Sequence, residues 1–411
     1  METATAIDIR HILSLFLIIA AAGMLSGRVA ALIRLPDVVL FIGAGMLLGQ
    51  GLHWIDESAG TLLNQLILTA GSTLILFDGG RNIQLSGLRK VGWTVGLLSV
   101  PGVLITVGVV GAAVHYVFGL EWLTSLLAAA VIASTDPASI IPVFRQVAVR
   151  KKVRETVESE SAFNDATGSI ITFALLAAVT GESALQAGPL VFDFVKTALG
   201  GIVIGIVFGV AVVYLVAHLR LGLLRDYTTI AMIGTAIGAY LIGDMLHVSG
   251  FMAAFVAGLI WGNPDVLRLR LDEKQEELVH FSDNVTIIMR MLIFILLGSQ
   301  VDFKLLADYG WQSLAAVLVM IFIARPLTVF LCALPDRKSK WTLKEMLFMI
   351  WVRETGVIPA ALSGMLVGMG VPHADVIASI TFMAIVLTIM LQASTTGWLA
   401  RKLGMDVEEK E

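Results

Sequence analysis

Seven residues, Ser159-Glu160-Ser161-Ala162-Phe163-Asn164-Asp165, stand directly before an apolar stretch that continues to Val179. On a helix Ser161 and Asp165 are one turn apart and share a face, as do Glu160 and Asn164. A carboxylate with a hydroxyl one turn away offers hard oxygen ligands suited to an alkali cation. Burial favours the protonated form of such an acid, whereas a neighbouring cation favours the charged form. One side chain can then hold a proton or a metal ion, never both well. If that side chain opens to each face of a membrane in turn, the result is exchange. The competing reading is an architectural Asp paired to an Arg, which leaves the surrounding polar cluster unexplained.

A second interruption lies upstream, at Ser134-Thr135-Asp136-Pro137. Proline removes a backbone donor, and Asp prefers helix ends to helix interiors. The expectation is an unwound segment in which Asp136 faces a positive half-helix end and the Thr135 carbonyl is free to face an ion. A plain proline kink is the alternative. Asp78, in Leu76-Phe77-Asp78-Gly79-Gly80, is either a further ligand or gate, or an interface acid paired to Arg81. Arg290, Arg325 and Arg353 fall inside apolar spans and read as counter-charges for carboxylates and carbonyls. His218 and His247 lie at span ends as ordinary interfacial histidines, and Cys332 is a small packing residue.

These residues need a membrane around them, and the composition supplies one. Of 411 residues, 57% are hydrophobic and 15% charged, and the mean hydropathy is +0.88. Soluble domains are nearer a quarter charged. Long apolar runs without strand alternation exclude an outer-membrane barrel, and 39 glycines suit close helix packing in lipid. No basic patch of the nucleic-acid kind is present.

Thirteen apolar spans are legible, near 9–33, 35–51, 61–79, 91–118, 122–145, 158–180, 188–217, 227–246, 248–263, 283–301, 310–334, 342–369 and 373–400. Glu2 and Asp8 precede the first and Arg28 and Arg34 follow it, the reverse of a cleaved signal, so it reads as a retained helix with its N-terminus outside. Alternate loops then collect most of the cations: Arg81, Arg89 and Lys90; Arg145, Arg150, Lys151, Lys152 and Arg154; Arg220 and Arg225; Arg268, Arg270 and Lys274; Arg337, Lys338, Lys340 and Lys344; Arg401, Lys402 and Lys410. The opposite loops hold only Arg10, Lys196 and Lys304. That bias places the C-terminus in the cytoplasm. The tail, 401–411, is too short to fold alone.

A weak internal repeat is also visible. Phe41-Ile42-Gly43-Ala44-Gly45-Met46-Leu47-Leu48-Gly49 is similar to Ala254-Phe255-Val256-Ala257-Gly258-Leu259-Ile260-Trp261-Gly262, and Leu74–Gly79 is similar to Ile293–Gly298. The second copy lies seven spans later, which inverts it in the membrane. The chain divides into a first repeat over 9–180, a linker helix over 188–217 and a second repeat over 227–400. Inverted repeats place substrate near the midplane on discontinuous helices in matching positions. Seven spans after the Thr135-Asp136-Pro137 break comes the twelfth, with Arg353-Glu354-Thr355-Gly356-Val357-Ile358-Pro359, so spans 5 and 12 are the expected unwound pair.

At these residues the chain resembles the monovalent cation/proton antiporters of the NhaP type, over nearly its whole length. The resemblance implies an all-α inverted-repeat antiporter fold in the inner (plasma) membrane, no cofactor, and a homodimer. It implies that Asp165 binds the transported cation and the proton, with Ser161 and the Thr135 carbonyl as further ligands. Asn164 would bridge to the break at Thr135 and Asp136, Asp78 would be an acidic contributor from the third helix, and Glu160 would pair with an arginine. Relatives with Asn-Asp rather than Asp-Asp tend to exchange one cation for one proton without net charge movement. The family's twelfth helix commonly reads Gly-Leu-Arg-Gly-Ala-Val-Pro; here Thr355 stands where that Arg would be, Arg353 lies two residues earlier, and Glu354 is an added acid. The resulting expectation is a Na+/H+ antiporter acting by alternating access, with a K+/H+ antiporter as the alternative. A channel would need a carbonyl filter motif, which is absent. An intramembrane aspartyl protease would need Gly-x-Gly-Asp, but Leu241 stands where the first Gly of Gly243-Asp244 is required.

Overall fold

A computed structural model describes residues 9–33, 35–55, 61–136, 140, 144, 149–181, 187–217, 223–267, 275–301 and 303–405. Pro137, His218, Arg34, Arg145, Arg220, Arg268, Arg270, Lys274 and the tail from 406 lie outside them. The elements in chain order are α1 (Ile9–Ile33), α2 (Asp37–Met46), α3 (Leu62–Arg81), α4 (Leu85–Ser99), α5 (Pro101–Phe118), α6 (Trp122–Val131) and α7 (Lys151–Val179). Then come α8 (Ala187–Ala217), α9 (Thr228–Met245), α10 (Gly250–Trp261), α11 (Gln275–Ser299), α12 (Phe303–Val319) and α13 (Arg325–Ala333). The chain closes with α14 (Leu343–Trp351), α15 (Val357–Gly368), α16 (Ala374–Leu387) and α17 (Ser394–Leu403). Among the described residues, nine helical stretches are long and apolar enough to cross a membrane, and four shorter apolar ones lie at Asp37–Gly51, Trp122–Val131, Gly250–Trp261 and Val357–Gly368.

Several helices begin before the apolar spans do. α4 starts at Leu85 rather than near 91, and bends where Pro101 opens α5. α7 starts at Lys151 rather than 158, and α12 at Phe303 rather than 310. Apolar pattern marks the hydrocarbon, whereas a helix continues past it into the interface. A π-helical turn, Met320–Ala324, joins α12 to α13 just before Pro326, whose missing N–H interrupts the regular ladder. A second, Thr388–Ala393, joins α16 to α17.

Glycine sets the closest helix contacts. A Cβ at Gly45 or Gly49 would collide with the Ile295 or Ser299 carbonyl of α11, and one at Gly298 with Ile42. The same arrangement recurs between α3 and α10: Gly258 and Gly262 meet the Phe77 and Arg81 carbonyls, and Gly80 meets Phe255. The two similar segments are thus used in the same way, each against a helix of the other half. The register is one residue off that read from the motif, with Gly298 playing the part of Gly80 rather than Gly79.

Both polar interruptions are non-helical. α6 stops at Val131, and residues 132–136 follow without helix. Residues 352–356 separate α14 from α15, and Pro359 falls in the first turn of α15, where a missing N–H costs nothing. α14 opens on a capping box, Thr342 with Glu345. Lys152 ties the start of α7 to that cap, with Nζ 3.1 Å from Glu345 Oε2 and 3.8 Å from the Trp341 ring centre.

Candidate functional site

The two breaks meet each other. The Asp136 N–H donates to the Glu354 carbonyl at 2.8 Å. Each loose end is met by charge of the right sign. The last carbonyls of a helix carry partial negative charge and the first N–H groups partial positive charge. Arg353 Nη2 donates to the Ala133 carbonyl at 2.7 Å, just beyond the end of α6. The Asp136 carboxylate lies against Gly356, the residue before α15, so closely that a Cβ there would collide with it.

α7 brings its polar face to this crossing. Asn164 Oδ1 accepts from the Thr135 N–H at 3.0 Å, and Asn164 Nδ2 donates to Thr135 Oγ1 at 2.8 Å. Thr135 Oγ1 and Ser161 Oγ are 2.7 Å apart. One turn from Ser161, Asp165 is 2% exposed and its Oδ1 has no hydrogen-bond partner among the described residues. The Ser134 hydroxyl and the charge of Asp136 both act on it, though Ser134 Oγ closes no hydrogen bond of its own. An uncompensated carboxylate at membrane depth is expensive, about 2.5–3.5 kcal/mol on insertion scales. It is tolerable when a proton or a cation completes it.

Of the three intramembrane arginines expected as counter-charges, Arg325 is the one that pairs with Glu160, and Arg353 does not. Arg325 Nη1 and Nη2 grip both carboxylate oxygens, the second at 3.0 Å, and Nε donates to the Met349 carbonyl at 3.1 Å. The reason is which face each cation presents: Arg353, turned toward the end of α6, is committed to Ala133. Glu354 makes no ion pair among the described residues; both carboxylate oxygens are buried without partners. Arg290 serves a different place, 3.3 Å from Asp37 at the start of α2. Asp78 holds Arg81 at 2.8 Å, Asn82 at 3.2 Å and Ser282 at 2.5 Å, so its partners lie on α3, just beyond it and on α11 rather than on the crossing. Among the described residues no three His, Cys, Asp or Glu side chains gather as a multivalent metal site would require.

Two residues escaped the sequence reading. Thr388 Oγ1 accepts from the Thr355 N–H at 3.0 Å, and Gln392 lies four residues on, fully buried. Both sit in the π-helical turn of the last span. The available signal was a pair of polar residues four apart in an otherwise apolar run.

The transmembrane sodium/hydrogen exchanger family matches residues 14–402. The chain belongs to that family. Among its relatives, Na(+)/H(+) antiporter 1 of Methanocaldococcus jannaschii is 31% identical, over 93% of each chain. The K(+)/H(+) antiporter NhaP of Alkalimonas amylolytica is 28% identical, over 96% of this chain and 67% of that protein. The solved structure of the M. jannaschii sodium proton antiporter MjNhaP1 at pH 8 matches with a TM-score of 0.81 at 28% identity, covering 96% of this chain and 99% of that one. As a sodium/hydrogen exchanger family member the chain is a multi-pass membrane transporter rather than an enzyme.

Proposed function

We propose that this exchanger moves Na+ against H+, one for one, with Asp165 as the group that carries either ion. The observation that carries the reading is Asp165 itself: a fully enclosed carboxylate with an oxygen left over, facing the crossing of two helix breaks. Ser161 and the Thr135 carbonyl complete the ligand set, Asn164 and Asp136 hold the first break in place, and Glu160 with Arg325 anchors α7. Asp78 acts as a clasp between α3 and α11. Arg353 and Arg290 are structural counter-charges. No resident cofactor is needed.

The reciprocal glycine contacts between α2 and α11 and between α3 and α10 support an inverted repeat over 9–180 and 227–400, joined by the linker helix at 188–217. In that frame there are thirteen spans, an outside N-terminus, a cytoplasmic C-terminus and a place in the plasma membrane, working as a homodimer. Sodium is favoured over potassium because the M. jannaschii relative that matches over 93% of both chains carries sodium in its name, whereas the A. amylolytica potassium relative is matched over 67% of its length.

The test is a cation panel on reconstituted vesicles with an inward-acid pH gradient. Sodium should dissipate the gradient at a rate that does not change when potassium and valinomycin impose a voltage. Dissipation by potassium alone would replace the sodium reading, and a steep voltage dependence would remove the one-for-one reading.

A further inference from the structure

We infer that Glu354, together with Thr355 and Gln392, forms a second monovalent-cation site, separate from Asp165. The segment 351–355 lies along the last span in a fixed register. Trp351 Nε1 donates to Thr395 Oγ1 at 2.8 Å, and the Thr355 N–H donates to Thr388 Oγ1 at 3.0 Å. Gln392 falls between those two contacts, level with 353–354. Glu354, Thr355 and Gln392 are each completely buried. Both Glu354 oxygens, the Thr355 hydroxyl, and both ends of the Gln392 amide lack any hydrogen-bond partner among the described residues.

Five buried polar atoms without partners, on two segments held in this register, need an explanation, since each such atom costs about 1–3 kcal/mol. A protonated Glu354 facing an amide would close a reciprocal pair, O–H to carbonyl and N–H to carbonyl, and no such pair forms. Oxygens that share an alkali ion stand farther apart than oxygens that share a proton. Carboxylate, hydroxyl and amide oxygens are the hard donors such an ion takes.

The surrounding charge agrees. The charged side chains acting on Glu354 are Asp136 and Arg325. Arg325 is already neutralised by Glu160. Arg353, although next in sequence, turns its guanidinium to the Ala133 carbonyl. Asp165 lies on α7 and Glu354 in the second break, and Asp136 acts on each of them. The carboxylates and arginines of the crossing make the same point. Glu160 cancels Arg325, and Asp136 formally cancels Arg353, which leaves Asp165 and Glu354 each wanting one positive charge. Because each acid swaps a proton for a cation without changing its own net charge, a second site leaves exchange electroneutral.

The test is equilibrium binding of radiolabelled sodium and rubidium to the purified full chain at alkaline pH. Two ions per chain are expected, one after Glu354→Gln, one after Asp165→Asn, and none in the double variant. A second variant, Gln392→Leu, weakens one of the two sites about tenfold and serves if Glu354→Gln is not recovered as dispersed protein. One ion per chain, lost with Asp165→Asn and indifferent to Glu354→Gln and Gln392→Leu, overturns this site while leaving the exchange reading intact. No bound cation in the unaltered chain removes both.

Discussion

Replacing Arg325 with leucine tests how the helix that carries Asp165 is held. Arg325 makes three hydrogen bonds in the buried crossing, two to the Glu160 carboxylate and one to the Met349 carbonyl. Glu160 is 2% exposed, so loss of the guanidinium leaves a charge with no water to turn to. Removing one member of a buried pair costs about 3–5 kcal/mol, mostly from the partner left behind. At ~2 °C per kcal/mol for a chain of this size, the apparent unfolding midpoint in detergent should fall by roughly 6–10 °C. The double variant Glu160→Met/Arg325→Leu removes both charges together and should recover most of that loss, because a buried pair replaced by apolar residues is often neutral. A single-variant shift below about 2 °C, or a double variant no better than the single, would refute the assignment of Arg325 as the partner of Glu160.

Asn164→Ala removes both bonds to Thr135 and leaves the Thr135 N–H without its acceptor; a loss of about 1–3 kcal/mol in thermal stability and a marked loss of exchange are expected from melting and vesicle assays. Gly356→Ala forces the Asp136 carboxylate away from the start of α15, so exchange should fall at least about tenfold in protein that still elutes as a single species, since overpacking costs only about 1–3 kcal/mol. Asp336 lies in the turn between α13 and α14. Burial pushes its carboxyl up, but hydrogen bonds from the Thr94 and Ser339 hydroxyls and the Ser339 and Lys338 N–H groups outweigh this and hold it below the usual range. A depressed acid stabilises the fold above its unfolded-state pKa, about 3.9, and that contribution is lost as pH falls through the lower folded-state value. The melting temperature of the unaltered chain should therefore decline on acidification below about pH 4, and Asp336→Asn should start lower and lose less across that window.

The chemistry at the crossing was legible because each piece violates the apolar pattern around it. An Asn-Asp pair, a Thr-Asp-Pro break and an Arg-Glu-Thr-Gly break stand out in spans that are otherwise mainly apolar, and the structure brings all three together. Partner choice was not legible. Glu160 and Arg325 are 165 residues apart, and which of three intramembrane arginines reaches Glu160 depends on helix rotation, which no local pattern records. Arg353 lies two residues before the position of the family motif's Arg and is turned toward Ala133. The Asp78–Arg81 pair could be seen as one of two readings, since i and i+3 share a helix face. Glu354 was visible as an added acid, whereas its complete burial and lack of partners are properties of the packed molecule. Gln392 was hidden because a π-helical turn, rather than composition, brings it level with the break.

The measurement closest to the heart of the mechanism is sodium-driven proton flux in sealed vesicles containing either the unaltered chain or Asp165→Asn. Both proteins should insert and remain folded, and only the first should alkalinise or acidify the lumen when a sodium gradient is applied. Flux through Asp165→Asn at a rate comparable to the unaltered chain would mean that the ion and the proton are carried by some other group.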